Sequence, residues 1–342
     1  MRLQKAGKKC LILEARNIGY GTTGGTTAHL NTLLDTPYTT IRKNFNADAA
    51  KLVADEARDA INWVQHNIAE NNIDCGFEYC SAYLFAQDDK EVKELDEIVS
   101  ATNDAGVEMQ YASELPINLN FVATAQVDQQ ARFHPLRYLH GITKAFEEAG
   151  GMVREESRVT KVEKGDLLSV HTADAIFNTI DIVYATHIPP GVNLLHLKCL
   201  PYRSYAMAVK LAEGKYPKDL IYDMKDPYNY YRTQVIDGQS YLIAGGKDHK
   251  TGHEENTNKS FLELEADVRR NFNVEDIPFR WSSQYYEPTD GLPYVGHLPG
   301  HSEHHYVATG FGGNGMIWSA VSSKVITQHI LGEETEITRL FT

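Results

Sequence analysis

The spacing of apolar residues predicts helices at several places along the chain. Apolar positions recur every three or four residues over 46–70 and 88–105, which is the pattern of amphipathic helices. Further helices are predicted over 134–149, where His134 and Pro135 open the segment and two glycines close it, over 258–271 and over 317–331. Because strands are predicted between these helices, the sequence indicates a mixed α/β (α+β) fold.

Short apolar runs and period-two alternation predict the strands. The all-apolar run 10–13 predicts a short strand that is buried on both faces. An aromatic block alternates on a period of two and predicts an antiparallel sheet, which we expect to cover a substrate cavity. The strands of this block are predicted at 202–209, 228–235, 239–245 and 279–287, and the others at 76–86, 152–155, 158–164, 167–172, 179–186 and 305–309.

Glu14 directly follows the first predicted strand. In a Rossmann domain, a carboxylate at the end of the second parallel strand binds the adenosine ribose of a dinucleotide. A surface glutamate after a strand is the alternative interpretation of Glu14 taken alone. The glycine loop Gly-x-Gly-x-x-Gly, which normally lies about 20 residues before this acid, does not occur in the sequence before it. We therefore expect the first strand and the phosphate loop of such a domain to lie upstream of Met1.

Two glycine-rich segments are candidate ligand-binding loops. Residues 19–30 contain four glycines and four threonines, whose free amides and hydroxyls suit a phosphate or a polar ring edge, although a flexible loop would have a similar composition. Residues 310–316 form a glycine turn between a strand and a helix. Such a turn gathers unpaired N–H groups and the positive end of the helix dipole, so we expect an anionic or electron-rich group there.

Composition narrows the choice of partner. The 342 residues carry 33 Lys and Arg against 46 Asp and Glu, a net charge of −13. This balance argues against nucleic acid and anionic lipid, because both require clustered cations. No apolar run approaches the roughly 18 residues that span a bilayer, and the N-terminus has no apolar signal core, so we expect a cytoplasmic protein without a membrane span.

Cysteine and histidine do not predict a metal site. The four cysteines are too scattered for a disulfide framework, and the pair Cys75 and Cys80 has no second pair with which to bind zinc. His301, His304 and His305 lie in a predicted solvated loop. We therefore expect no metal.

Several motifs together resemble the FAD-dependent oxidoreductases of the D-amino-acid oxidase and glycine oxidase superfamily. The first set is CLILEA (10–15) with the Gly/Thr loop after it, DIVYAT (181–186), and the closing stretch from DGLP (290–293) to Gly315 and Met316. A second set is similar to a bacterial branch in which the flavin domain is fused to a C-terminal Rieske domain: PYRSY (201–205), DPYNYYR (226–232) and GGKDHKTG (245–252). No Cys-x-His pair, the Rieske ligand signature, occurs in this chain.

The resemblance implies a Rossmann-like FAD-binding domain, N-terminally incomplete, formed by 1–75, 130–200 and 288–342. An antiparallel substrate domain, 76–129 and 201–287, is inserted into it. By the same resemblance Glu14 binds the ribose, the Gly/Thr loop lies near the pyrophosphate and ring, and the last helix begins at the pyrimidine edge of the flavin. The residues expected at FAD are Glu14, Ala15, Thr22, Thr23, Gly24, Thr27, Ala28, His29, Leu30, Val159, Ala185, Thr186, Gly310, Gly312, Gly313, Asn314, Gly315 and Met316.

The chemistry implied is oxidation of a C–N bond in an amine or amino acid by hydride transfer to flavin N5. Electrons would then pass to oxygen or to a redox partner. Arg232 is the leading candidate to anchor a substrate carboxylate because a guanidinium can bind both oxygens, although it could equally pair within the sheet. Tyr205 and Tyr231 are secondary candidates for substrate contact.

Two other functions remain open at this point. Without the phosphate loop, several charge-assisted hydrogen bonds to FAD are lost, so a truncated, non-catalytic chain that cannot hold FAD is one alternative. A nicotinamide-dependent dehydrogenase that uses Glu14 is a weaker one. The glycine turn at 310–316 argues against it, because nicotinamide enzymes do not need a helix start at that place.

Overall fold

The computed structural model describes residues 1–341. The helices in this range are α1 (Arg2–Lys5), α2 (Thr22–Gly25), α3 (Tyr38–Asn44), α4 (Ala47–Glu70), α5 (Asp89–Asp104), α6 (Pro135–Glu148), α7 (Leu195–Lys198), α8 (Thr257–Asn271), α9 (Gly315–Leu331) and α10 (Glu336–Leu340). The strands are β1 (Leu11–Leu13), β2 (His29–Leu30), β3 (Glu78–Ala86), β4 (Met109–Ala112), β5 (Ala123–Arg132), β6 (Met152–Arg154), β7 (Lys161–Glu163), β8 (Leu168–His171), β9 (Ile176–Thr179), β10 (Ile182–Tyr184), β11 (Cys199–Leu211), β12 (Leu220–Asp223), β13 (Tyr230–Ile236), β14 (Gln239–Lys250), β15 (Val274–Pro288), β16 (Tyr294–His297) and β17 (His305–Thr309). The fold is therefore mixed α/β, as the sequence predicts.

One large sheet contains nine of these strands. Its order is β15-β11-β14-β13-β12-β3-β5-β2, and β4 pairs with β5. Every pairing in it is antiparallel except the one between β12 and β3. The segments predicted as a substrate domain supply almost all of this sheet, and β2 joins it from the N-terminal part of the chain. The division into two domains itself stays a prediction.

Three small sheets hold the other strands. β1 pairs parallel with β6, and β10 pairs parallel with β17, whose other edge carries β16. β7, β8 and β9 form an antiparallel meander. Glu14 follows β1, residues 185–187 follow β10, and the glycine turn follows β17. Several segments predicted to bind FAD thus lie at the carboxyl ends of parallel strands, where α/β folds bind their ligands.

The long helices begin at capping residues that the sequence provides. The Asn46 side chain accepts a hydrogen bond from Ala49 N at the start of α4, and Asp88 does the same for two amides of α5. His134 caps α6, with Pro135 at its first position. These side chains satisfy amides that the first helical turn leaves without an acceptor. The five predicted helices are confirmed to within about two residues at their ends.

Some strand predictions are wrong. β1 is not buried on both faces: Ile12 is 43% exposed, because within residues 1–341 β1 pairs with β6 alone. The single strand predicted over 179–186 is two strands, β9 and β10, in different sheets. β2, β4, β5, β12 and β16 were not predicted.

The two faces of the large sheet have different roles. Helix α8 packs on one face, where Tyr231 of β13 contacts Phe272 with ring centroids 5.1 Å apart. Side chains of a strand alternate between faces, so Tyr230 and Arg232 lie on the opposite face. On that face Tyr230 packs with Tyr222 of β12. This second face borders the candidate site.

A buried ion pair joins the two longest helices. Glu56 on α4 is 7% exposed, and Lys324 Nζ on α9 lies 2.6 and 2.8 Å from its two carboxylate oxygens. The carboxylate is thereby neutralised inside the core that α4 and α9 share. Removal of one partner from such a pair leaves a buried charge without compensation.

We expect Lys324→Met to lower the free energy of unfolding by about 2 kcal/mol, because Glu56 stays charged and buried. The double variant with Glu56→Gln should recover much of this loss. Lys144→Met is the matched control, since Lys144 and Glu148 form an exposed pair at 3.7 Å and its loss should cost less than about 0.5 kcal/mol. Urea denaturation measures all four proteins, and equal losses for the two lysines would contradict the prediction.

Candidate active site

Asn314, at the start of α9, connects three parts of the fold. Its Oδ1 accepts a hydrogen bond from Asp35 N at 2.7 Å, and its Nδ2 donates to Asn31 Oδ1 at 3.3 Å. Asn31 Nδ2 in turn donates to the Tyr222 hydroxyl at 2.7 Å, and the His29 ring also hydrogen bonds to that hydroxyl. This network fixes the start of α9, the segment 29–35 and strand β12 relative to one another.

The glycine turn that precedes α9 is fixed by its own backbone, because Gly312 N donates to Tyr286 O at 2.9 Å and Asn314 N to Phe311 O at 3.2 Å. Gly310 and Gly312 have φ of +75° and +55°, values that favour glycine. A Cβ at Gly313 would lie 2.0 Å from Asp35 Oδ2, so only glycine permits this approach. Asn314 makes no capping bond to the helix, and the first-turn amides therefore face outward with the positive end of the α9 dipole.

The Gly/Thr loop packs against strand β15. Thr22 Oγ1 donates to Gln284 O at 2.8 Å, and Trp281 Nε1 donates to Gly25 O at 2.8 Å. His187 Nε2 also hydrogen bonds to Gln284 O, at 3.1 Å. Thr309 Oγ1, directly before the glycine turn, donates to His187 O at 2.6 Å. The structure thus brings together the predicted segments 22–30, 185–186 and 310–316.

Glu14 lies at the other parallel sheet. Its Oε1 accepts from Arg16 N at 2.8 Å, which holds the carboxylate at the carboxyl end of β1. Ser157 N donates to Glu14 O at 2.7 Å, so the segment that leads to Val159 runs beside it. Glu14 and Val159 are therefore near each other in the fold, as the resemblance implies for the adenosine end of FAD.

The three predicted substrate contacts lie in different environments. Arg232 is 2% exposed and is bound by Gln234 Oε1 at 2.9 Å and by the Phe133 and Thr233 carbonyls. Burial and the nearby Arg132 lower the pKa of Arg232 to about 9. Tyr205 and Tyr231 are fully buried on the α8 face, where Tyr205 hydrogen bonds to His249 Nε2 at 2.8 Å. The structure therefore does not bring these two tyrosines to the glycine turn.

Three carboxylates that the sequence analysis missed face the turn side of the sheet: Asp35, Asp248 and Glu287. The Tyr285 hydroxyl is 2.8 Å from Asp248 Oδ2 and 3.4 Å from Glu287 Oε1. The Tyr228 hydroxyl donates to Asp35 Oδ1 at 3.2 Å. Period-two alternation could have placed Tyr285 and Glu287 on one face of β15, but no sequence signal marked Asp35. These three residues are called the carboxylate cluster below.

The pKa values of all three residues of the carboxylate cluster are raised. Burial, with contributions from Asp248 and Glu287, raises the pKa of Asp35 to about 6, and the hydrogen bonds from Tyr228 and Gly313 limit the rise. Burial also raises the pKa of Asp248 and of Glu287. Asp35 is exposed to solvent and lies directly against the glycine turn, where it accepts a hydrogen bond from the Gly313 amide. A carboxyl group with such a pKa can exchange a proton near neutral pH.

Comparison with known proteins identifies the family. The model of the family described as DAO, FAD dependent oxidoreductase, matches residues 1–329. YhfW of Bacillus subtilis, named as a Rieske 2Fe-2S iron-sulfur protein, is 27% identical over 99% of this chain and 67% of its own length. The gamma-glutamylputrescine oxidoreductase of Escherichia coli is 20% identical over 97% of this chain and 80% of its own length.

The fold of the chain is also found among solved structures. The crystal structure of glycine oxidase from Geobacillus kaustophilus superposes with a TM-score of 0.80 and 15% identity, over 98% of this chain and 91% of that one. At that identity the likeness concerns the fold alone. Among residues 1–341, no helix has the length and apolar character that a membrane crossing requires. The family match covers nearly the whole chain, and the protein belongs to the DAO family of FAD-dependent oxidoreductases.

Proposed function

We propose that the protein uses FAD to oxidise the C–N bond of an amine or amino acid. The observation that carries this proposal is the cleft in which the Asn314 turn meets the carboxylate cluster and the aromatic face of the large sheet. The first amides of α9, which have no capping partner, suit a flavin edge, and a carboxylate with a raised pKa suits proton transfer from an amine. Relatives named for amine and amino-acid oxidation support it.

The residues around the cleft fit FAD. Gly312 and Gly315 have open space where a Cβ would be, so a planar ring can approach their backbone. The α9 dipole and the turn amides would stabilise negative charge on the pyrimidine edge of the ring. The Gly/Thr loop lies beside this turn through β15, and Glu14 offers a carboxylate to the ribose. No step of the proposal requires a metal.

FAD, when bound, would accept a hydride from the carbon beside the nitrogen of a deprotonated amine, which would leave an iminium ion. Asp35 is the candidate that accepts the proton, because it lies beside the glycine turn and its pKa is raised to about 6. Oxygen or a redox partner would remove the two electrons from the protein.

The roles proposed for the other residues follow from their contacts. Arg232 donates to Gln234 Oε1 and to two carbonyls, and its Nε has no partner in the described residues, so we propose that it holds β13 in place and keeps one donor free. Tyr205 and Tyr231 stabilise the packing of α8 on the sheet. The substrate would instead contact Tyr228 and Tyr285, which lie with the carboxylate cluster.

The test of the function is anaerobic mixing of the FAD-loaded protein with a panel of amines and amino acids. We expect at least one amine to bleach the visible band of oxidised flavin. A protein that takes up no FAD would favour the non-catalytic alternative. A protein that holds FAD and is reduced by dithionite but by no amine would contradict C–N oxidation. Reduction of a bound nicotinamide cofactor would favour the dehydrogenase.

We expect Gly313→Ala to disturb the cleft, because the new Cβ meets Asp35 Oδ2. The rate of flavin reduction should fall by about tenfold or more, as expected when a reacting group is displaced by about 1 Å. Ser319→Ala is the control: this residue is exposed one turn further along α9, its hydroxyl bonds only to Met316 O within the helix, and alanine favours the helix. Stopped-flow reduction and FAD affinity measure both variants, and equal effects would refute the close approach at Gly313.

The pH dependence of kcat/KM should reflect the protonation of the Asp35 carboxyl group. Below about pH 6 its carboxyl is protonated and cannot accept a proton, so kcat/KM should rise as the pH increases through about 6. Asp35→Asn should lose this limb. Tyr228→Phe should move the limb to higher pH, because the hydrogen bond from Tyr228 lowers the pKa of Asp35. If the Asp35→Asn variant keeps the same acidic limb of the kcat/KM profile, the titrating group belongs to the substrate and not to Asp35.

A further inference from the structure

We propose that the substrate is an aliphatic diamine or polyamine without a carboxylate, and that the carboxylate cluster binds its ammonium groups. This inference rests on the proposed amine oxidation, and it specifies the class of amine. It depends on three features: negative charge that the protein leaves without a cation, a buried oxygen that has no partner, and an acidic cavity that reaches the same residue.

The charge of the cluster is not balanced by the protein. Within residues 1–341, no lysine or arginine forms an ion pair with Asp35, Asp248 or Glu287. Elsewhere in the fold a buried carboxylate does have its cation, as Glu56 has Lys324. Asp248 and Glu287 are partly exposed and Asp35 is exposed, so a cation from solution can reach them. The cluster therefore has the properties of a site whose cation comes from a ligand.

The neighbouring donors are neutral hydroxyl groups. Tyr285 has one hydroxyl proton, which it can donate to Asp248 or to Glu287 but not to both at once. Asp248 Oδ1 is buried and has no hydrogen-bond partner. An ammonium group carries three donors and could bridge several carboxylate oxygens. In the described part of the chain no set of carboxylates and histidines is arranged to hold a metal ion, so an organic cation fits this site better.

A large acidic cavity lies between the start of α5, the start of α8 and the end of β14. Its volume is about 890 Å³, within the range of small-molecule sites. Asp248 is one of its lining residues, so the cavity and the cluster share a side chain. Seven carboxylates and three lysines line it, and two of those lysines already face acids, Lys247 with Asp267 and Lys225 with Asp223. The carboxylates are Asp88, Glu91, Glu94, Asp226, Asp248, Glu254 and Glu263.

This arrangement favours a cationic chain and disfavours an amino acid. A negatively charged cavity concentrates cations and repels a carboxylate. Arg232, the guanidinium predicted to bind a carboxylate, lies on β13 and does not line this cavity. Tyr228 and Tyr285 offer aromatic surface beside the carboxylates, which suits ammonium groups and the methylene chain between them. An extended diamine could place one nitrogen near Asp35 and the other near Asp248.

The experiment compares three amines of equal chain length on the FAD-loaded protein: 1,4-diaminobutane, 1-aminobutane and 4-aminobutanoate. They differ only in the far end, which is an ammonium, a methyl or a carboxylate group. We expect kcat/KM for flavin reduction to be about tenfold or more higher for the diamine than for the monoamine, and lower still for the amino acid. Equal or better reduction by 4-aminobutanoate would overturn the inference and leave amine oxidation standing.

Substitutions in the carboxylate cluster test whether these residues cause the preference for the diamine over the monoamine. Asp248→Asn should reduce the diamine advantage by about tenfold or more, and Glu287→Gln should act in the same direction. Asp237→Asn is the matched control: it removes the same charge from an exposed residue that pairs with Arg137, at a φ of +49° that asparagine tolerates. A diamine advantage that survives in both cluster variants would overturn the inference.

Calorimetry separates failure of the inference from failure of the proposed function. If no amine reduces the flavin, C–N oxidation is refuted, and binding of 1,4-diaminobutane is then measured directly. Binding that is lost in Asp248→Asn and kept in Asp237→Asn would support the cation site by itself. No measurable binding to the FAD-loaded wild-type protein would overturn it.

Discussion

The hydrogen bonds of Asn314 hold the candidate site together. One side chain binds the backbone of Asp35 and the side chain of Asn31, and Asn31 extends the network to Tyr222 on the large sheet. Because Asn314 directly precedes α9, the same residue fixes where the free amides of that helix begin. Together with the bonds from Gly312 N to Tyr286 O and from Tyr228 to Asp35, this amide group fixes Asp35 beside the glycine turn and the turn beside the sheet.

The two sides of the candidate site carry opposite charge, and different groups of the protein provide it. On the turn side, backbone amides and the α9 dipole provide partial positive charge without any lysine or arginine. On the sheet side, the carboxylate cluster provides negative charge without a paired cation. The positive side suits a flavin that becomes anionic, and the negative side suits an amine that arrives as an ammonium ion. The net charge of −13 is thus compatible with an anionic cofactor, because the contacts proposed for its ring are made by the backbone.

Local patterns predicted the elements that local interactions determine. Helices α4, α5, α6 and α8 were predicted because their apolar period and their caps lie within each segment. Strand β12 was missed because all four of its residues are buried, so it shows no alternation. Alternation identified the aromatic strands but could not say which face meets α8, and for this reason Tyr205 and Tyr231 were predicted as substrate contacts. The carboxylate cluster joins positions 35, 248 and 287, and only tertiary packing brings them together.

A crystal structure of the FAD-loaded protein with 1,4-diaminobutane tests the account most directly. The account predicts the pyrimidine edge of the ring at the first amides of α9, from Gly315 onward, with one nitrogen of the ligand within hydrogen-bond distance of Asp248 Oδ1. A ring bound away from the start of α9, or a diamine bound without contact to Asp35, Asp248 or Glu287, would contradict it.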